Sequence, residues 1–138
     1  MADCIFCKIA AGGIPSTSVH EDDVCLVFMD IGPLSPGHTL VVPKKHYEMI
    51  WDMPEAEAAH LGRLIPRLAA AVKGAVGAEG INLLQNNGRT SGQEVMHVHF
   101  HLIPRCAGDG LGYRWPAKPA DPAVLAAEAE AIRKRLKA

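Results

Sequence analysis

An α+β fold, with an antiparallel sheet covered by helices on one side, is predicted by three features of the chain. Several short runs rich in branched and aromatic residues are separated by turn signals at hairpin spacing. One long stretch repeats its apolar residues every three or four positions, and a second such stretch, opened by a capping residue, closes the chain. Strands joined by hairpins, with helices inserted between and after them, belong to this class.

The first strand lies around "STSVHE" and turns through "EDD" into a second, "DVCLVFMD", in which Cys25 reads most simply as a buried strand residue. After the breakers of "GPLSPG" comes a third strand, "GHTLVVPK". "INLLQN" and "EVMHVHFHLI" complete a set of about five. Between the third and fourth lies "DMPEAEAAHLGRLIPRLAAAVKGAVG", where Asp52 is expected to cap a helix and Glu55 to complete a capping box. Leu61, Leu64, Ile65, Leu68, Val72 and Val76 form its apolar stripe. Pro66 removes an amide donor and predicts a kink there. In the tail, Asp121 caps, Pro122 opens the helix, Leu125, Ile132 and Leu136 give a stripe, and the basic end suits the helix dipole.

With 138 residues, 49% of them apolar, the chain supports one core and is short for two, so a single domain over residues 1–138 is expected. The formal charge of -1 comes from interspersed signs, and "RKRLK" is the one basic run, which argues against a grip on a nucleic-acid backbone. No apolar run approaches the roughly 18 residues of a membrane span, and "MADCIFCKIAAGG" lacks a signal peptide's charged and apolar regions. A cytoplasmic protein is expected, with Cys4, Cys7, Cys25 and Cys106 as thiols or metal ligands.

The stretch "MHVHFHLIPR" sets His97, His99 and His101 at alternate positions, which on a strand places three imidazoles on one face and Val98, Phe100 and Leu102 on the other. Taken singly, His20, His46 and His60 read as structural hydrogen-bonding residues. Three titratable rings side by side exceed what structure alone needs, and they point to a functional site. Alternate strand residues are about 6.6 Å apart and the outer two about 13 Å, so the three cannot share one tetrahedral ion. Nucleophilic or acid-base catalysis by a central neutral imidazole fits better. Upstream, "QNNGRTSGQE" has the glycines and small polar residues of a loop that turns its amides toward a phosphate. In "DCIFCK" the Cys-x-x-Cys pair lacks the βαβ context of a redox couple and reads as two thiolates offered to one metal, which needs two more ligands from elsewhere.

"HVHFHLI" resembles the signature of the histidine-triad family, three histidines alternating with apolar residues. "CIFCKIAAGGIPS", "EDDVCLVFMDIGPLSPGHTLVVPKKH" and "NNGRTSGQEVMHVHFHLIPR" are similar, in order and spacing, to bacterial members of its nucleotide-binding branch over most of residues 4–105. The resemblance implies a homodimer of α+β subunits, each a meandering antiparallel sheet with a central and a C-terminal helix. It further implies hydrolysis or nucleotidyl transfer at the α-phosphate of a purine nucleotide, with no metal required for the chemistry. A nucleoside phosphoramidase releasing AMP or GMP is the reading adopted. A dinucleoside polyphosphate hydrolase and a non-catalytic AMP-sensing module stay open beside it.

Carried over by position, His99 would be the nucleophile, held by the main-chain carbonyl of His97. His101 would donate to phosphate and assist the leaving group, and His38 would support the ring of His97. Asp30 would hold the ribose, Phe6, Ile9 and Ile31 would wall the base, and Asn86, Gly92, Gln93 and Val95 would contact phosphate and sugar. Glu94 departs from the small hydroxyl residue of eukaryotic members; a carboxylate there repels phosphates but can hold an amine. By the same resemblance, Cys4, Cys7, His46 and His97 would bind one structural zinc per chain.

Overall fold

The computed structural model describes residues 3–112 and 114–137. Helix α1 (Ile5–Ala10) precedes strands β1 (Ser18–Glu21), β2 (Cys25–Met29) and β3 (Thr39–Pro43), then helix α2 (Glu55–Val76), strands β4 (Gly80–Gln85) and β5 (Phe100–Arg105), and helix α3 (Pro122–Lys137). The strands form one antiparallel sheet in the order β1-β2-β3-β5-β4. The path meanders except at one step, where α2 carries the chain to the far edge and β5 returns between β3 and β4. That return puts β5 beside Leu40 and Leu84, both opposite His101.

Both faces of the central strands are covered, which is why "CLVFM" and "TLVVP" read as nearly continuous apolar runs. Cys25, Val27, Val41, Val98 and Leu102 pack under Leu61, Leu64, Leu68 and Val72 of α2. On the opposite face Leu26, Phe28, Leu40 and Val42 gather around Phe6 of α1. The expected arrangement with helices on one side is thus corrected: α1 takes the second face, and α3 has no buried residue.

Three local expectations also change. Asp52 does not cap α2; its carboxylate accepts the Met49 amide at 3.1 Å and closes a single 3-10 turn, Ile50–Asp52. The helix instead starts on Pro54, whose carbonyl accepts the Glu57 and Ala58 amides, and no side chain caps it, so the Glu55 capping box is absent. Pro66, where a kink is expected, lies inside α2, which runs from Glu55 to Val76. Both Pro66 and Gly62, the residue whose carbonyl loses its donor, are exposed, so water can satisfy that oxygen. The third change bears on the site: β5 begins at Phe100, and residues 94–99 precede it as irregular backbone instead of continuing the strand.

The β1–β2 turn is held by Asp22. One oxygen accepts the Val24 and Cys25 amides at 2.8 and 2.9 Å, and the other accepts His20 and His60 at 3.0 and 2.8 Å. Burial alone would raise this carboxyl, but the hydrogen bonds from His20, His60 and the two amides hold it well below the usual carboxylate range. His20 and His60 are therefore structural, as their isolated positions suggested, and the turn is pinned to α2. At Gly37 the backbone has φ +89° and a Cβ would lie 2.8 Å from Val76, so only glycine fits just before His38.

Candidate active site and metal centre

The irregular segment before β5 still delivers the three imidazoles to one face. Phe6 meets the rings of His97 and His99 edge-on at 5.9 and 5.0 Å, and His99 meets His101 at 4.8 Å, while Val98 and Leu102 sit in the core beneath α2. Val98 donates its amide to the Tyr47 carbonyl at 2.7 Å, which takes the place of a strand partner.

Hydrogen bonding sets the tautomer of each ring. His99 Nδ1 lies 2.7 Å from the His97 carbonyl, an obligate acceptor, so Nδ1 carries the hydrogen and Nε2 keeps its lone pair. The Leu34 amide donates to His38 Nδ1 at 3.0 Å, so the hydrogen of His38 is on Nε2, 2.9 Å from His101 Nδ1. His101 then accepts through Nδ1 and presents an Nε2–H donor. The expected partnership of His38 with His97 is corrected here: His38, just before β3, orients the third histidine, because its Nε2 reaches His101 Nδ1 and not the ring of His97. The ring of His97 turns the other way and donates Nε2–H to the Pro43 carbonyl at 2.8 Å.

Burial lowers the pKa of all four rings. His97 and His101 are pushed down to about 4, and neighbouring imidazoles add to the effect. His99 is lowered by burial against the opposing pull of the His97 carbonyl and Asp30, and His38 by burial against Asp30. All four are neutral at neutral pH, as a nucleophilic imidazole requires.

A cleft of about 460 Å³ opens over these rings, a size suited to a small organic ligand. Phe6, Ile9, Asp30, Asn86, Gly92, Val95, His99 and His101 line it, so most of the residues read from the sequence are brought together. Ile31 reaches its rim with 96% of its surface exposed, so it forms an open edge and not an enclosing wall. Asp30 accepts the Gly32 amide at 2.8 Å through one oxygen and keeps the other 3.6 Å from His38 Nε2.

Gln93 is not on the cleft. Its side chain is buried, accepts the Gly88 amide at 2.7 Å and donates to the Glu48 and Val95 carbonyls at 2.8 and 3.1 Å. The glycine loop also differs from expectation: the amides of Gly88, Ser91, Gly92 and Gln93 are spent inside it, with Gly92 in a left-handed conformation at φ +104°. The amides of Glu94 and Val95, and the side-chain amide of Asn86, have no acceptor among the described residues and stay available to a ligand on the cleft wall. Sequence reading missed the Pro43, Tyr47 and Leu34 backbone groups, which carry no side-chain signal.

Behind His97 lies a second constellation. Its Nδ1, free of hydrogen because Nε2 donates to Pro43, is 3.3 Å from Cys4 Sγ, 3.5 Å from Cys7 Sγ and 3.2 Å from His46 Nδ1, and Cys7 Sγ is 3.3 Å from His46. These four donor atoms form one group within 4.8 Å of each other. A tetrahedral zinc with ordinary bond lengths separates two nitrogens by about 3.3 Å and a nitrogen from a sulfur by about 3.6 Å. The donor set and spacing therefore fit that ion, and the Pro43 hydrogen bond supplies the outer support a metal-binding histidine usually has. Cys7 is raised by burial and by its hydrogen bond with Cys4. Cys25, by contrast, is fully buried and pushed up to about 12 by burial and by Asp22, which makes it inert.

A family model described as "HIT domain" matches residues 11–108, more than half of the chain. The chain belongs to the HIT family. This HIT protein is 42% identical over 135 residues to an adenosine 5'-monophosphoramidase of Schizosaccharomyces pombe, covering 97% of this chain and 98% of that one. Its fold matches the crystal structure of a HIT family member from Bacillus subtilis with a TM-score of 0.91, 41% identity and 96% coverage of each chain. A zinc-bound histidine triad family protein from Mycobacterium smegmatis matches with a TM-score of 0.75 and 34% identity, over 94% of this chain and 98% of that one. Among the described residues, no helix is long and apolar enough to cross a membrane.

Proposed function

We propose that this HIT protein hydrolyses purine nucleoside phosphoramidates at the α-phosphorus and releases the nucleoside monophosphate. The observation that carries the reading is the tautomer of His99: a neutral ring, locked through Nδ1–H to the His97 carbonyl, with the Nε2 lone pair left for attack. The S. pombe relative named as an adenosine 5'-monophosphoramidase supports the substrate class. Phe6 and Ile9 receive the purine, Asp30 the ribose hydroxyls, and Asn86 with the free Glu94 and Val95 amides the phosphate.

His99 Nε2 attacks phosphorus, the P–N bond breaks, and the nitrogen departs as the amine after taking up a proton. His101 Nε2–H, fixed by His38, donates to the phosphoryl oxygen where charge accumulates. The nucleotidyl-imidazole keeps Nδ1–H and is therefore cationic, a good leaving group for water. Water's attack returns the proton consumed in the first step and frees His99.

Cys4, Cys7, His46 and His97 would hold one structural zinc, which supplies rigidity and no chemistry to the reaction. The thiol ligands agree with a cytoplasmic location. Exposed apolar residues on α3, Leu125, Ile132 and Leu136, support a homodimer.

Turnover decides. The protein should hydrolyse an adenosine phosphoramidate, compared side by side with a diadenosine polyphosphate, and a rapidly quenched reaction should show one nucleotidyl adduct per site by mass spectrometry. His99→Ala should abolish turnover and leave AMP affinity within about tenfold, because the lost interaction forms mainly in the transition state. Negligible rates on both substrates with tight AMP binding would replace the enzyme by a nucleotide sensor. Faster cleavage of the dinucleotide would reassign the substrate.

A further inference from the structure

We propose that Cys4 and Cys7 are a peroxide-modified pair, whose oxidation to a disulfide expels the zinc and disables the adjoining His97–His99 unit. The inference goes beyond the hydrolase reading and rests on it for turnover as a readout and on the zinc reading for the ion, while zinc release and AMP affinity are read without turnover. Three features of the structure carry it.

The two sulfurs are near neighbours in the four-atom cluster, each against the same nitrogen of His97. Both residues are half-buried, and Cys4 lines a second cavity of about 410 Å³ beside His46, Glu48, Arg89 and Glu94, roomy enough for hydrogen peroxide to reach the sulfur. The pair is also wired to catalysis by two short paths. His97 holds the thiols with its ring and His99 with its carbonyl. Phe6, inside the Cys-x-x-Cys segment, touches both rings and lines the nucleotide cleft. A change at the sulfurs therefore reaches the nucleophile and the base wall together.

The chemistry balances. Peroxide takes two electrons from the sulfurs: the Cys4 thiolate attacks the O–O bond, giving a sulfenic acid and hydroxide. The Cys7 thiolate displaces a second hydroxide to form the disulfide, and each hydroxide takes a proton from the medium. Two thiolates and two neutral imidazoles balance the charge of Zn²⁺, so loss of the thiolates leaves two imidazoles, too few ligands to retain the ion. Cys25 is sealed in the core and stays reduced, while exposed Cys106 serves as an internal control for non-specific oxidation.

The zinc-loaded wild type is treated with hydrogen peroxide, and released zinc, disulfide content by non-reducing peptide mapping, AMP affinity and turnover are followed together. The expected result is one zinc released for each Cys4–Cys7 disulfide, AMP affinity weaker by about tenfold, loss of turnover, and recovery with thiol reductant plus zinc. Cys106→Ser should respond as wild type does. Retention of zinc and of both thiols while Cys106 oxidises overturns the proposal. So does a Cys4–Cys7 disulfide that leaves AMP affinity and turnover within about twofold. Protein that carries no zinc as purified refutes the metal reading and with it the expulsion step, whereas an AMP affinity unchanged by the disulfide overturns the coupling to the cleft alone.

Discussion

Each histidine of the cleft meets the same physical pressure, since loss of water disfavours the charged ring. For His101 the folded pKa is about 4 against an ordinary value of 6.5. As pH falls below about 6.5 the unfolded chain takes up a proton that the folded chain refuses, so stability is complete above that pH and declines until about pH 4. His99 and His38 shift in the same direction. Thermal melts at successively lower pH should therefore show a falling midpoint between about pH 6.5 and 4, and a constant midpoint would contradict neutral buried rings. The nucleophilic step should show the companion behaviour and hold its rate into mildly acid solution, because His99 remains neutral there.

Elements, unlike single rings, are positioned by what lies between them. The segment after β3 and the loop before β5 touch through three links: Gln93 to the Glu48 carbonyl, Val98 to the Tyr47 carbonyl, and the Ile50 amide to Asn87 at 2.7 Å. Gln93 is the hub, because its one side chain also accepts the Gly88 amide. Gln93→Ala would leave a buried amide and two carbonyls with poorer partners, at a cost of about 2–4 kcal/mol. Denaturant unfolding should show that loss, together with a higher KM from a loosened Gly92–Val95 wall. An unchanged stability would mean that water replaces the amide at no cost.

At the scale of the whole molecule, two surfaces ask for something beyond one chain. Helix α3 carries its apolar stripe with Leu125, Ile132 and Leu136 between 51% and 80% exposed, and β1 and β4 end the sheet as open edges. Light scattering at micromolar concentration should give about twice the chain mass of 14.8 kDa, and a clean monomer would remove the dimer. The proposed metal centre makes the second demand. It joins α1, the segment after β3 and the triad, three pieces distant in sequence, so a chelator should lower the melting temperature more than the initial rate. Equal loss of both would place the ion in the chemistry instead.

The strands and the two longer helices were readable along the chain because they depend on local periodicity, whereas the six-residue α1 is too short to show one: β2, β3 and α2 declare themselves by which positions are apolar, and Asp121 with Pro122 marks the start of α3 through its own Ala123 bond at 2.9 Å. The alternation of His97, His99 and His101 likewise foretold their common face. What one residue does to another far away was not readable. His38 turned to His101 and not His97, Gln93 turned inward and β5 started six residues late, because each outcome depends on which backbone carbonyl or amide another element brings near, and α1 took the second sheet face because Phe6 packs among Leu26, Phe28, Leu40 and Val42. Side-chain chemistry is written in the sequence one letter at a time, whereas the Pro43, Tyr47 and Leu34 backbone groups that select tautomers and directions are the same in every residue and gain meaning only from the tertiary fold.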